Sequence, residues 1–419
     1  MNPKTIKKDR MFYRFSLYGF LKNLRFFDPF IILIFREAGL TFLQIGFLYS
    51  IRDLATNILE IPTGVYADAF GRRKSMVMSF LAYIGSFVVF YFFADFYVYA
   101  LAMILFAFGE AFRSGTHKAM ILEYLKLNDM QDVKVEYYGH TRAASQLGSA
   151  INSLIAAALV FFAGGYRYMF IASTIPYVLD LFNLATYPKE LDGELLRFKK
   201  GAVMAQTRTT LKVFFGIFTD RHTMRAILNS ASFTAVFTIT KDYLQPVLET
   251  FALALPLLVV MDETVRSSAI IGVVYFLIYL LTSYAARNAA RFSNRFASLT
   301  RAINLTFLLG AAFLFIAGLS TQKNMAVLSI LVFLGFYVLQ NLRRPMNVAF
   351  ISDQISNKVM ASGLSVESQF ATILVAIFAP LMGALADHYG IGTALAAFGV
   401  GALLLSLFVR VDARPSLTR

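Results

Sequence analysis

Gly64-Val65-Tyr66-Ala67-Asp68-Ala69-Phe70-Gly71-Arg72-Arg73-Lys74 is the stretch that decides how this chain is read. It follows an apolar run ending in Glu60-Ile61-Pro62-Thr63, and another apolar run opens at Ser75. An acid, two glycines and three consecutive bases therefore lie between two hydrophobic segments of membrane-spanning length. Such a connection must be short and tightly turned. Its bases place it on the side of a membrane where positive charge is retained.

The rest of the composition agrees. Of 419 residues, 58% are hydrophobic and only 15% charged, with a mean hydropathy of +0.62. A soluble chain would carry about one-quarter charged residues. The apolar residues fall in runs of about 20, the length a helix needs to cross hydrocarbon. There is no cysteine, so disulfide and thiolate chemistry drop out. Tryptophan is absent too, leaving 21 tyrosines and 43 phenylalanines as interfacial anchors and packing residues. A net charge of +14 in a soluble protein would suggest nucleic acid; here it is assigned to basic cytoplasmic loops, with no nucleic-acid partner. Lys4, Lys7, Lys8 and Arg10 precede the first apolar run without a small-residue cleavage site, which reads as a retained helix rather than a signal peptide.

Twelve spans can be drawn, near 12–35, 43–66, 75–94, 97–124, 137–163, 167–187, 222–249, 268–287, 298–319, 325–350, 358–386 and 390–410. With both termini cytoplasmic, the inner loops and tails hold about 25 Lys and Arg, whereas the outer loops hold only Arg36, Arg167, Arg266 and Lys323. That asymmetry sets the orientation. The fold class is thus an all-α membrane protein with twelve transmembrane helices in two six-helix halves, 1–187 and 222–419, joined by a cytoplasmic linker, 188–221. Charges are mixed from Lys189 to Lys200. Beyond them Leu211, Phe214, Phe215 and Phe218 share one helical face opposite Arg208 and Lys212, as suits a helix lying in the membrane interface; the other reading is an early start to span 7. The halves look related, since Phe27-Asp28-Pro29 corresponds to Leu244-Gln245-Pro246, and Arg113 and Glu123 correspond to Arg343 and Asp353.

The opening stretch resembles the loop between helices 2 and 3 of the major facilitator superfamily, whose pattern reads G-x-x-x-D-x-x-G-R-[KR]-[KR]. Gly64, Asp68, Gly71, Arg72, Arg73 and Lys74 match it. Ala69 stands where a base is frequent, and Tyr66 where a leucine is. The resemblance implies two repeated halves that alternate access to a midplane site, with helices 1, 4, 7 and 10 lining the cavity. It also implies an inner gate, in which Asp68 engages the neighbouring half and Arg72 reaches an acid at the inner end of span 4, here Glu123. The glycine- and proline-containing pattern of drug:proton antiporters does not occur in span 5, where Gly148 is the one remnant, and Leu105 stands where those proteins often place an arginine before span 4's Gly109.

Charges inside the spans are costly, about 2.5–3.5 kcal/mol each at the bilayer centre, and so mark a cavity or a partner. They gather in spans 1, 2, 4, 5, 7, 10 and 11. In span 1, Arg14, Tyr18, Lys22, Arg25 and Asp28 form one polar stripe at steps of three and four. The stripe is either a cationic surface for an anionic ligand or an internal network in which Arg25 pairs with Asp28. Span 4 puts Glu110, Arg113, Ser114 and His117 on one face. Glu110 either carries a coupling proton or neutralises Arg113, and His117 reads as a packed histidine. Span 5 aligns Arg142, Gln146, Ser149 and Ser153. Span 2 has Arg52-Asp53 outward and Glu60 inward, span 7 a self-compensated Lys241-Asp242, and span 10 Gln340, Asn341, Arg343 and Arg344.

Tyr18, Lys22, Arg25, Arg113, Arg142, Gln146, Gln340 and Arg343 are accordingly the expected substrate-binding residues. Asp28, Asp53 and Glu110 are the candidates for proton coupling. No phosphate-binding loop, metal cluster or nucleophile elbow occurs in a supporting context, so neither a cofactor nor an enzyme activity is expected. The expected function is secondary transport of a small anionic or amphiphilic organic solute in a bacterial inner membrane, by a monomer, with a lean towards export and with protons as a coupling partner. Two rivals stand beside it: a drug:proton antiporter for lipophilic cations, and a receptor or scaffold on the same fold that transports nothing.

Overall fold

A computed structural model of the protein describes residues 8–195, 201–217, 221–256, 260–354 and 360–412. Every regular element among them is helical. The reason is local: in hydrocarbon each backbone N–H and C=O must be paired, and an isolated segment can do that only as a helix. Nine helices among the described residues are long and apolar enough to cross a membrane. Ile58, Phe162, Leu407 and Phe408 stand exposed on helix faces, which suits contact with lipid rather than water.

Spans 1, 4 and 7, expected as continuous helices, are each broken. Span 1 comprises α1 (Arg10–Leu21) and α2 (Ile31–Glu37), between which the chain leaves the helix at Lys22 and re-enters through a short 3-10 turn, Asp28–Phe30. Pro29 suits that re-entry, because it has no N–H to leave unpaired. Span 2 is one helix, α3 (Phe42–Phe70), and span 3 follows as α4 (Arg72–Phe92). Span 4 comprises α5 (Phe96–Arg113) and α6 (Thr116–Leu127), parted at Gly115, whose φ of +71° lies in the left-handed region. Spans 5 and 6 are α7 (Lys134–Ala163) and α8 (Tyr168–Ala185). The stretch expected as the linker contains α9 (Ala202–Ile217), on which Arg208 and Lys212 are exposed. Phe218 and the side chains of Leu211, Phe214 and Phe215 lie outside the described residues.

Span 7 comprises α10 (Arg221–Thr240) and α11 (Leu244–Ala254), joined by a 3-10 turn at Lys241–Tyr243. Its break sits just before Pro246, as span 1's sits before Pro29. The stretches expected as spans 8 to 12 are α12 (Glu263–Ser293), α13 (Leu299–Gln322), α14 (Ala326–Gln354), α15 (Met360–Tyr389) and α16 (Ile391–Phe408).

The helices form two compact units. One holds Met1–Ile34, Ile51–Gln206 and Ile271–Phe276; the other holds Phe35–Ser50, Thr207–Ile270 and Leu277–Arg419. Small residues explain the exchanged segments. In the second unit, a Cβ on Gly46 would lie 2.7 Å from Pro380 Cα, and one on Gly383 would lie 2.7 Å from Leu43 Cα. There the Asp387 carboxylate accepts from the N–H groups of Phe42 and Leu43 (3.0 and 2.8 Å), which caps the N-terminus of α3. In the first unit, Gly272 packs on Ala157 and the Ser153 carbonyl. Without a hydrophobic force between helices in lipid, such close backbone approaches supply the packing.

The same logic separates two glycines on α16. A Cβ on Gly399 would lie 2.5 Å from Phe315 Cα, whereas nothing lies within 4 Å of one on Gly401. Gly399→Ala should destabilise by about 1–3 kcal/mol through overpacking. Gly401→Ala should be neutral or stabilising, through helix propensity. Thermal unfolding midpoints in detergent check both, and equal midpoints for the two variants would contradict this packing.

Candidate functional site

The break in span 1 exposes backbone that a continuous helix would pair, and side chains from two neighbouring spans take it up. Asn152 on α7 donates to the Arg25 carbonyl at 3.0 Å. From α8, Tyr177 donates its hydroxyl to the Lys22 carbonyl at 2.9 Å, and the Ser173 hydroxyl accepts from the Phe26 N–H at 2.9 Å. Asn23 closes the preceding turn by donating to the Gly19 carbonyl (2.6 Å). The unwound segment is thereby held in place, and it presents Lys22 and Arg25 at mid-span.

Their charges meet span 4. Arg25 Nη2 lies 2.6 Å from Glu110 Oε1, and Arg113 donates from its Nη2 to Glu110 Oε2. Both oxygens of one carboxylate are thus held by guanidinium groups. Each arginine is steadied by a tyrosine, Arg25 Nε donating to Tyr177 Oη (2.5 Å) and Arg113 Nε to Tyr83 Oη (3.0 Å). The Arg25 guanidinium also lies over the rings of Phe106 and Tyr83, 4.8 and 5.1 Å from their centroids. The side chains of Arg25, Glu110 and Arg113 keep 18%, 20% and 25% of their surface exposed, so the cluster is largely enclosed without being sealed.

Lys22 and Tyr18 join the same cluster. The Lys22 ammonium lies 5.5 Å from the Tyr18 ring centroid, and it has no ion pair among the described residues. Tyr18 in turn stacks on the buried His117 at 3.6 Å, and His117 Nε2 is 3.5 Å from Tyr187 Oη. Asp28 opens the 3-10 turn within electrostatic reach of Arg25, whose close carboxylate partner is Glu110. The partner that periodicity within span 1 suggested for Arg25 thus gives way to one 85 residues further on.

Arg142 is exposed and Gln146 half-buried on α7, while Asp53 is paired with its neighbour Arg52 at 2.7 Å. In the second unit Gln340 is half-buried and Lys241 pairs with Asp242 at 2.5 Å. Arg343 is fully buried there. It donates to the Ile303 carbonyl, to Thr306 Oγ1 (2.9 Å) and to Asn229 Oδ1 (2.7 Å), and it lies over the Phe233 ring at 4.3 Å, so it ties α10, α13 and α14 together.

The opening stretch forms a turn whose only residue outside the helices is Gly71. Gly64 and Asp68 are exposed in the last turns of α3, Gly71 makes the corner at φ +103°, and Arg72, Arg73 and Lys74 begin α4. Arg72 lies 3.6 Å from Glu123 and Lys126 lies 3.7 Å from it. Sequence reading missed Asp192, in the linker, whose carboxylate accepts from the Arg73 N–H at 2.7 Å and so caps α4. A Cβ on Gly71 would lie 2.9 Å from that carboxyl carbon. Glycine is needed there for both conformation and space. Glu60, on the same α3, accepts from the Ser114 hydroxyl at the break in span 4 (2.5 Å).

Comparison with known proteins identifies the family and the fold. The Major Facilitator Superfamily profile matches residues 15–366. An uncharacterised MFS-type transporter of Bacillus subtilis (strain 168), YxaM, is 35% identical over 107 residues, which is 25% of this chain and 26% of that one. Among solved structures, the nucleoside transporter NupG superposes with a TM-score of 0.73 at 14% identity over 96% of this chain and 98% of its own. A D-xylose–proton symporter gives 0.70 at 15% identity, covering 96% and 97%. The peptide transporter POT gives 0.72 at 12%, covering 95% and 93%. At these identities the structural likeness is one of fold.

The shared carboxylate makes a clear prediction. Glu110→Gln would leave two guanidinium groups facing one neutral amide, so it should destabilise by about 1–3 kcal/mol, the scale of losing a hydrogen-bonded charge. Adding Arg113→Met should restore part of that loss, because it removes one of the stranded charges. Thermal unfolding of both variants provides the check. A Glu110→Gln midpoint equal to wild type would show that the carboxylate is not the arginines' counter-ion.

Proposed function

The chain belongs to the major facilitator superfamily, and from that premise we propose that it moves a small anionic or amphiphilic organic solute by alternating access, coupled to protons. As a member it is an integral membrane transporter rather than an enzyme. The Bacillus relative supports placing it in a bacterial plasma membrane.

The observation that carries the proposal is the charge balance at the span 1–span 4 cluster. Lys22, Arg25 and Arg113 converge where Glu110 is the carboxylate both arginines share, and the Lys22 ammonium is left without an ion pair among the described residues. Unbalanced positive charge in a low-dielectric enclosure is unfavourable until an anion joins it. Each guanidinium spends its Nε and one Nη on the fixed network. The remaining Nη groups suit the two oxygens of a carboxylate or phosphate, with Lys22 acting as a point charge.

The same geometry bears on coupling and on the rival readings. With both oxygens on arginines, Glu110 suits the role of fixed counter-ion better than that of proton carrier. A site for lipophilic cations would offer free aromatic faces, but the rings of Phe106 and Tyr83 already carry Arg25. A receptor or scaffold would show no flux.

Calorimetric binding of benzoate, lactate, glucose and tetraphenylphosphonium to purified protein separates the ligand classes. Flux of bound ligands into proteoliposomes under an imposed pH gradient separates transport from scaffolding. Lys22→Gln should weaken binding of the anionic probes by about 1.5–3 kcal/mol, the range for charged hydrogen bonds, or about tenfold to a hundredfold in affinity. Tetraphenylphosphonium binding that tightens on Lys22→Gln, with no binding of either anion, would replace the anion reading with the lipophilic-cation one.

A further inference from the structure

Span 6 lies along span 1 as a ladder of polar contacts, and one rung of it is unmatched. Counting along α8, Ser173 accepts from the Phe26 N–H, and Tyr177 binds Arg25 and the Lys22 carbonyl. Further down, Asn183 exchanges hydrogen bonds with Arg14: Arg14 Nε donates to Asn183 Oδ1 (3.1 Å) and Asn183 Nδ2 to the Arg14 carbonyl (3.2 Å). Just past the helix, Tyr187 donates to that same carbonyl at 3.2 Å. Steps of three and four keep all these residues on one face.

Asp180 sits in the middle of that face. It is fully buried, at 0% exposure. Its Oδ1 accepts from Asn183 Nδ2 at 3.1 Å, and its Oδ2 has no hydrogen-bond partner among the described residues. No base lies within ion-pair distance of it among the described residues. A carboxylate with one neutral hydrogen bond in an apolar enclosure is among the costliest arrangements a protein can hold, and the neutral acid removes most of that cost. The groups around it leave one candidate to balance its charge. Span 1 brings Arg14, Tyr18 and Lys22; Arg14 is spent on Asn183 and Thr186, and Tyr18 is stacked on His117 from span 4. Tyr187 also faces the acid, and the bases of α4, Arg72, Arg73 and Lys74, stand in its first turn, where Arg73 donates to the Tyr187 carbonyl at 3.3 Å and Arg72 pairs with Glu123. On α7, Arg142 is exposed. Lys22 is the cation within electrostatic reach that holds no carboxylate of its own.

We propose that Asp180 is a proton-binding site of this transporter and that Lys22 links it to the solute. The linkage rests on the anion reading of the cavity; the proton site does not. With an anion on Lys22, the ammonium's charge is spent and Asp180 takes up a proton from water. When the anion leaves, the freed ammonium favours the carboxylate, and the proton departs to water. Solute anion and proton therefore bind together and move in the same direction, and each raises affinity for the other, as linkage requires.

Infrared spectroscopy of the purified protein in lipid nanodiscs tests this without any substrate, the proton being the only ligand. Wild type should show the C=O stretch of a protonated carboxyl that grows in as the pH is lowered and, without substrate, is only partly developed at neutral pH. Asp180→Asn should remove that band and Glu110→Gln should leave it. Lys22→Gln should make it persist to more alkaline pH, since a nearby positive charge has been taken away. Asp180→Glu keeps the acid, so it should retain a band at a displaced frequency, which guards against loss of the band through misfolding. A wild-type spectrum without such a band, or one that Asp180→Asn leaves intact, overturns the proposal. The linkage is read separately, as proton uptake from a weakly buffered solution when benzoate or lactate binds; uptake should be lost in Asp180→Asn, and equal uptake in wild type and variant would overturn the coupling. Should no anion bind wild type, the anion reading fails while the infrared result still decides the proton site.

Discussion

The Glu110 carboxylate, held at once by Arg25 from span 1 and Arg113 from span 4, is the interaction on which the centre of the first unit depends. Taking one of these charges out of water costs several kcal/mol unless partners surround it. Two arginines on one acid, each pinned by a tyrosine hydroxyl, satisfy most of that demand. The arrangement also leaves a surplus of positive charge beside Lys22. The fold thus holds a polar centre whose charges are pinned by protein groups, with Lys22 beside it outside any ion pair among the described residues.

That centre exists because spans 1 and 4 are broken where the charges lie. A continuous helix would turn Lys22 and Arg25 to a face set by its own pitch and would keep their carbonyls for itself. Breaking the helix frees those groups, and irregular backbone at membrane depth is tolerated only where other protein groups pair it. Asn152, Ser173 and Tyr177 do so for span 1. At Gly115 the left-handed backbone ends α5 just past Arg113, and the Ser114 hydroxyl meets Glu60. Span 7 repeats the device ahead of its own proline.

Beyond the centre, the turn at Gly71 shows how a short motif acts through distant chain. The positive backbone angle and the absent side chain let Asp192, 119 residues away from Arg73, cap the helix that the three bases begin. The acid offsets the exposed N–H groups and the positive end of that helix dipole. Arg72 is then free to reach Glu123 on span 4, as the superfamily resemblance implied.

The amino-acid sequence alone determined the things that depend on local pattern. Apolar runs of membrane length, the asymmetry of Lys and Arg, the stripe from Arg14 to Asp28 and the Gly64–Lys74 stretch were legible because hydrophobic burial and helical periodicity act over a few residues at a time. Tertiary structure decided which polar group meets which. Arg25 faces Glu110 where the span 1 stripe suggested Asp28, Arg343 is enclosed by Ile303, Thr306 and Asn229, and Asp192 reaches Arg73. Asp180, without a stripe of its own in the sequence, becomes conspicuous once every neighbouring rung of its helix is seen to be paired. The physical reason is range. A helix dictates the face on which a side chain stands, but a charge in a low-dielectric interior takes its partner from whichever helix packing brings within a few ångströms, and no spacing along the chain records that choice.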